Sequence, residues 1–161
     1  MSNWTRMCCW LAAAAGATSV ILGAAAPAAV AHEVRLDDPP ARAWARLLGG
    51  SGLDSGFGAA AAAADGGVFV TGRTDSERLG DQISAGGSDM VLARFAPNGE
   101  VRWVRLLGGG ARDTGFGVAA APDGGVVMVG YTTSASFGGL AATGTPDVVV
   151  ARYDANGRRL W

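Results

Sequence analysis

The chain states one pattern twice, and that repetition limits what it can fold into more than any single residue does. Residues 44–102 and 103–161 are two copies of a unit about 59 residues long. The first opens WARLLGGSGLDSGFG, from Trp44 to Gly58, and the second WVRLLGGGARDTGFG, from Trp103 to Gly117. They close SDMVLARFAPNGEVR and PDVVVARYDANGRRL, each followed by a tryptophan, Trp103 and Trp161. A fixed long period marks stacked supersecondary units, each covering an apolar face of its neighbour.

Each copy divides into four short apolar runs separated by turn signals. In the first copy the runs are Phe57–Ala64, Val68–Thr74, Asp89–Ala96 and Glu100–Leu107. Between them stand Asp65-Gly66-Gly67, the long segment Asp75–Ser88, and Pro97-Asn98-Gly99. Asp-Gly and Asn-Gly between β-branched runs are hairpin signals, because both accept the positive φ that tight turns need. Asp123-Gly124-Gly125 and Ala155-Asn156-Gly157 repeat them. The run Ala59–Ala64 has helical propensity, but its counterpart GVAAAP contains Val118 and Pro122, and both are read as strand. VFVTG (Val68–Gly72) and VVMVG (Val126–Gly130) are apolar on both faces, which implies a sheet covered on both sides. Four antiparallel strands per unit, in a meander with both faces covered, describe a β-propeller blade. The expected fold is all-β, with two such blades. The Gly-Gly after Leu48 and Leu107 fits the link from an outer strand to the next inner strand.

The first 31 residues read as a secretory signal peptide. Arg6 is the only charge before His32, an Ala-rich apolar stretch follows from Met7, and Ala29 and Ala31 form a small-x-small cleavage site. An uncleaved anchor is the competing reading, since Met7–Ala31 is long enough to span a bilayer. Cleavage after Ala31 is expected, leaving no membrane span and a secreted or cell-surface protein. Cys8 and Cys9 lie at the front of the apolar run rather than at the cleavage point, so both leave with the signal. The mature chain then has no thiol chemistry and no disulfide. Residues 32–43 are a polar linker containing Pro39 and Pro40.

Charge excludes one class of partner. The chain has 13 arginines, no lysine and 14 acidic residues, for a net charge of −1. The charges are scattered singly and form no basic stripe, so nucleic acid is not expected.

The pattern W-x-x-x-LGG-x-x-x-D-x-G-x-G, then DGG-x-x-x-x-G-x-T, then D-x-x-x-A-R-[FY]-x-x-NG-x-x-x-W resembles the bacterial SBBP-type β-propeller repeat. It is also similar to related repeats of roughly sixty residues in bacterial surface proteins. The resemblance spans nearly all of residues 42–161 and implies propeller blades in a secreted or surface protein, with the other blades as partners. Such proteins usually carry enough repeats to close a ring, and this chain carries two. Two blades bury one interface and leave two apolar faces in water. The strand Arg42–Leu48 would complete another blade, and Trp161 is where a last outer strand should continue. The chain is therefore expected to be a piece of a longer propeller protein, the alternative being a ring closed by several chains.

Candidate site residues are repeated rather than unique. Trp44, Trp103 and Trp161 suit sugar stacking, but a repeated aromatic in an apolar strand is first a packing residue. Asp54 and Asp113, each ahead of a Gly-Phe-Gly turn, could hold Ca²⁺ as a ring of carboxylates. The simpler expectation is that each accepts backbone N–H groups of its glycine turn. Asp89, Asp147, Asp65 and Asp123 read as turn chemistry. Arg94 and Arg152 are expected to pair with one of these aspartates between blades. His32, the only histidine, could bind copper with the terminal amine only beside a second histidine. No catalytic, cofactor-binding or metal residue is assigned, and no enzyme is expected. The expected role is a non-enzymatic scaffold or binding module for a surface glycan or protein, carried on the long segments Asp75–Ser88 and Thr133–Pro146. The alternatives are a lectin-like carbohydrate binder formed by oligomerisation, and part of a propeller hydrolase or lyase whose catalytic blade lies elsewhere.

Overall fold

Turn chemistry cuts the chain where the sequence says it should. The computed structural model describes residues 43–161, and the signal segment, Cys8, Cys9, His32 and most of the linker lie outside the described residues. The regular structure of these residues is all strand, in antiparallel sheets. β1 (Asp54–Ala62) and β2 (Gly67–Thr74) are joined through Asp65-Gly66, with Gly66 at φ 73°. β5 (Asp89–Phe95) and β6 (Val101–Leu107) are joined through Asn98-Gly99, with Gly99 at φ 81°. The first sheet has the order β1-β2-β5-β6.

The second copy builds β7 (Asp113–Ala120), β8 (Val126–Thr132) and β11 (Asp147–Tyr153) into a sheet of order β11-β8-β7. Its fourth strand is only begun. Arg159 bridges Tyr153, the Leu160 N–H donates to Arg152 O at 2.8 Å, and the Arg152 N–H donates to Trp161 O at 2.9 Å. Two corrections follow. The second unit is a three-stranded sheet rather than four-stranded. The described part of the expected strand Arg42–Leu48, residues 43–48, pairs with nothing as a strand. In both cases no strand that would complete the ladder lies beside it among the described residues.

Strand bounds otherwise follow the reading to within a few residues. β1 starts at Asp54 rather than Phe57, because a bulge lets the chain pair earlier: Gly56 faces Gly72, Gly58 faces Thr71, and Phe57 is the extra residue. Phe116 is the extra residue of the same bulge in β7. A side chain on Gly72 would collide with Ser55 O, and one on Gly130 with Thr114 O, so the bulge needs glycine on the facing strand. The alanine run ends as strand at Ala62, where Asp65 and Gly66 N–H groups close the turn on Ala62 O.

The long segments are not irregular loops. Each carries a small hairpin: β3 (Arg78–Leu79) with β4 (Gln82–Ile83), and β9 (Ser136–Phe137) with β10 (Leu140–Ala141). Leu79 and Phe137 are buried and anchor these hairpins to the sheets.

The two sheets stack. Phe69, Met90 and Leu92 of the first join Val126, Met128, Val149, Ala151 and Tyr153 of the second in one buried cluster. Each large side chain fully buried there contributes about 1.5–3 kcal/mol. Ser88 and Arg112 form a parallel bridge between the sheets. A second cluster, Leu79, Val91, Ala93, Phe95 and Val104, fills the opposite face of the first sheet, with Leu48 packed against it. The opposite face of the second sheet has no such cover among the described residues: Val148 is 83 % and Val150 50 % exposed, whereas their equivalents Met90 and Leu92 are 0 %. The described residues close no ring.

Candidate functional site

The repeated aspartates Asp54 and Asp113 sit at the start of the first strand of each sheet, and their oxygens are taken. Asp113 Oδ2 accepts the Gly109 N–H at 2.7 Å, the Ser134 hydroxyl lies 3.0 Å from the same oxygen, and the Thr132 hydroxyl donates to Oδ1. Asp54 repeats the set with the Gly50 N–H at 2.8 Å, Ser76 and Thr74. The serines also tie the incoming Gly-rich link, since the Gly52 and Ala111 N–H groups both donate to Ser Oγ at 2.9 Å. These carboxylates fasten the link between sheets to the top of the next sheet; their glycine donors are Gly50 and Gly109, four residues upstream, and not the Gly-Phe-Gly residues to which the sequence points. The Thr-x-Ser partners were not singled out in the sequence, although Thr74-Asp75-Ser76 and Thr132-Thr133-Ser134 stand at one repeat position and could have been.

Asp89 differs from its twin. Asp147 accepts N–H groups from Thr143 at 2.6 Å and Gly144 at 3.1 Å and stays partly open. Asp89 is fully buried, with Oδ2 on the Ala85 N–H at 2.7 Å and Oδ1 without a partner among the described residues. A side chain on Gly108 would run into the carboxylates of both Asp89 and Asp113, so two acids meet across the sheet junction. Burial pushes the Asp89 carboxyl above its ordinary range. Hydrogen bonds from Ala85 and Ser84 pull it back, and the nearby Asp113 adds to the rise. Among the described residues no three His, Cys, Asp or Glu side chains cluster as a metal would need.

The tryptophans act as hinges between a strand and the next hairpin. Trp103, on β6 of the first sheet, lies over Gly157 in the second and donates its indole N–H to Ala155 O at 3.0 Å. Trp44 does the same within the first unit, over Gly99 and onto Pro97 O at 2.9 Å, stacked on Phe95 at 5.8 Å. Gly99 and Gly157 therefore serve twice, by their positive φ and by leaving room for the ring. Trp161 has no such seat among the described residues and is 61 % exposed. Inter-sheet packing is thus realised by Trp103, at the rim rather than in the core.

The arginines correct the pairing expected between blades. Arg94 pairs with Asp65 at 2.9 Å and Arg152 with Asp123 at 2.6 Å, each inside its own repeat, because the third strand passes beside its own first hairpin turn. Arg94 crosses the junction differently. Its Nη1 donates to Ala155 O at 3.1 Å and Gly124 O at 3.4 Å, and its guanidinium lies over Phe69.

The exposed aromatic feature is elsewhere. Phe57 and Phe116, the two bulge residues, are each 50 % exposed with ring centroids 5.5 Å apart, and Phe116 continues to Tyr131 at 5.6 Å. Repeated Gly-Phe-Gly was the available signal, and it was read only as a turn. No protein-family model matches the chain, and no curated protein matches it.

Proposed function

We propose that residues 44–102 and 103–161 are two propeller-type blades of a secreted or cell-surface scaffold that binds without catalysis. The carrying observation is the stack itself. The far face of the first sheet is sealed by the near face of the second, while the equivalent far face of the second, with Val148 and Val150, is uncovered among the described residues. A sheet apolar on both sides needs cover on both sides, and large exposed apolar patches mark interaction surfaces. The repeated carboxylates support a non-enzymatic role, since Asp54 and Asp113 spend their oxygens on hydroxyl and glycine N–H donors.

Light scattering after size exclusion of the processed chain, starting at His32, tests this reading. Polydisperse association through the bare face supports a piece of a longer propeller, and a discrete assembly of three or four chains, a ring of six or eight sheets, supports ring closure by this chain; both keep the stacking-blade reading. A folded monomer at high concentration would remove the stacking-blade reading.

A lectin-like role is the second reading, favoured by the exposed Phe57–Phe116 pair, which offers two adjacent ring faces of the kind that stack on sugars. A glycan array with the Phe57→Ala/Phe116→Ala double variant as control separates it. Glycan binding lost in that variant supports it, and an array without signal removes it.

A further inference from the structure

The junction between the two sheets buries two aspartates, Asp89 and Asp113, and among the described residues no arginine pairs with either. Asp89 opens β5, Asp113 opens β7, and the link between the sheets passes both at Gly108. A side chain on Gly108 would strike Asp89 Oδ1 and Asp113 Oδ2, so these two oxygens border the same small space.

The hydrogen bonds leave room there for one proton. An ionised carboxylate offers about four acceptor sites. Asp113 uses three, for the Gly109 N–H, the Thr132 hydroxyl and the Ser134 hydroxyl. Asp89 Oδ2 accepts the Ala85 N–H at 2.7 Å, while Oδ1, fully buried, has no partner among the described residues. Two ionised acids cannot satisfy each other, because neither brings a hydrogen. A single proton on Asp89 Oδ1 fills the last site on Asp113 and occupies the orphaned oxygen at once. The other charged groups on the surrounding strands are Asp54 on β1, Arg73 on β2 with Asp75 after it, Arg112 ahead of β7 and Asp147 on β11. Asp54 and Asp147 have backbone donors of their own, and Arg73 reaches Asp75 at 3.5 Å. Only Asp113 acts by its charge on the Asp89 carboxyl, and it opposes a second negative charge there.

The pair fastens the end of the first long segment. Gly86 and Gly87, at φ 118° and 59°, lie against Gly110 and Ala111 of the link. The Ser88 N–H donates to Ala111 O at 3.0 Å, and the Asp113 N–H donates to Ser88 O at 2.7 Å. Residues 84–88 are thus tied to the Asp89 carboxyl on one side and to the link on the other.

We propose that Asp89 and Asp113 share one proton, Asp89 Oδ1 donating to Asp113 Oδ2, and that its loss frees segment 84–88 from link 108–112. The proton leaves to water or hydroxide, and two negative charges then face each other away from solvent. Segment 84–88 is partly exposed and outside the sheet ladders, so it yields before β7, which is laddered to β8. A raised acid keeps its proton at the lower pH, so the closed form holds there and is lost as pH climbs through the raised value. This switch stands on the junction alone and not on what the protein binds.

The test is a carboxyl-carbon NMR titration of the processed chain from about pH 4 to about pH 9, with Asp89→Asn to assign the signal. Asp89 is expected to titrate above its ordinary value of 3.8, and the Asp113 signal to move in the same step. Amide exchange by mass spectrometry follows the segment itself. Protection of residues 84–89 is expected to fall about tenfold or more across that step, beyond the intrinsic rise of exchange with pH. In Asp89→Asn, whose amide replaces the shared proton, protection should persist at both ends of the range. Asp147→Asn, at the twin position, should keep the step of the unaltered chain. An Asp89 signal that titrates in the ordinary carboxylate range overturns the shared proton, and this reading needs no variant to fold. A titration step with unchanged protection overturns the release of the segment. Millimolar Ca²⁺ that removes the step would put a cation in the gap and overturn the proton as its occupant.

Discussion

At the scale of single residues, the acids divide by what burial does to them. Asp65, Asp123 and Asp154 are held below the usual carboxylate range, first by the backbone N–H groups of Gly67, Gly125 and Arg158. Their contribution to stability is present above the unfolded value of 3.8 and is lost as pH falls below it. Asp89 is raised by burial, so its sign is opposite: its contribution is present at low pH and lost as pH climbs through the raised value. Asp89→Asn removes a buried charge facing Asp113 and supplies an N–H₂ that Asp113 can accept. It is expected to stabilise at pH 7 by about 1 kcal/mol or more, on the order of one unpartnered buried acceptor. The gain should shrink as pH approaches 4, and urea unfolding at both pH values measures it. A loss at pH 7 would mean that the Asp89 charge is compensated. Gly72→Val and Gly130→Val place a branched side chain against a carbonyl oxygen inside the bulge. Each is expected to cost about 3 kcal/mol or more, at the large end for single substitutions. Unfolding midpoints within 2 °C of the unaltered chain would dismiss the bulge as the reason for glycine.

Among the elements, equivalent residues sit in unequal surroundings, which makes the repeat its own control. Trp103→Ala removes a half-buried ring and an indole hydrogen bond at the sheet junction, and should cost about 3 kcal/mol, the low end for tryptophan truncation. Trp161→Ala in a single copy should cost less than about 0.5 kcal/mol, as an exposed side chain does. Equal losses at the two sites, read by chemical denaturation, would contradict this difference. The arginines allow the same comparison. Arg94→Ala strips two carbonyls of the neighbouring sheet of a donor, whereas Arg152→Ala opens only a surface pair worth under about 1 kcal/mol.

On the scale of the whole molecule, the consequence of two sheets is asymmetry. One junction is sealed by Phe69, Met90 and Leu92, and its repeat-equivalent face carries Val148 and Val150 in solvent. Such a molecule is expected to change mass with concentration, and Val148→Asp, at an 83 % exposed position, should reduce that association without altering the fold. The signal-peptide expectation is also settled at this scale, by N-terminal sequencing of exported protein. A first residue of His32 is expected, and an intact Met1 would favour the anchor.

Sequence alone determined the unit, its strands and its turns. Period, alternation and Asp-Gly or Asn-Gly placement are local, and local sterics and hydrogen bonding decide them. For Asp54 and Asp113 it pointed to backbone N–H donors but on the wrong side, in the Gly-Phe-Gly that follows, whereas the fold supplies them from Gly50 and Gly109, four residues upstream. What only the tertiary structure decided is where identical residues stop being equivalent. Met90 and Val148, Trp103 and Trp161, Arg94 and Arg152, Asp89 and Asp147 occupy matching positions, and nothing in their flanking residues tells a sealed face from a bare one. Burial depends on which sheet lies opposite, and that neighbour is supplied by a part of the chain about 59 residues away, or by another chain.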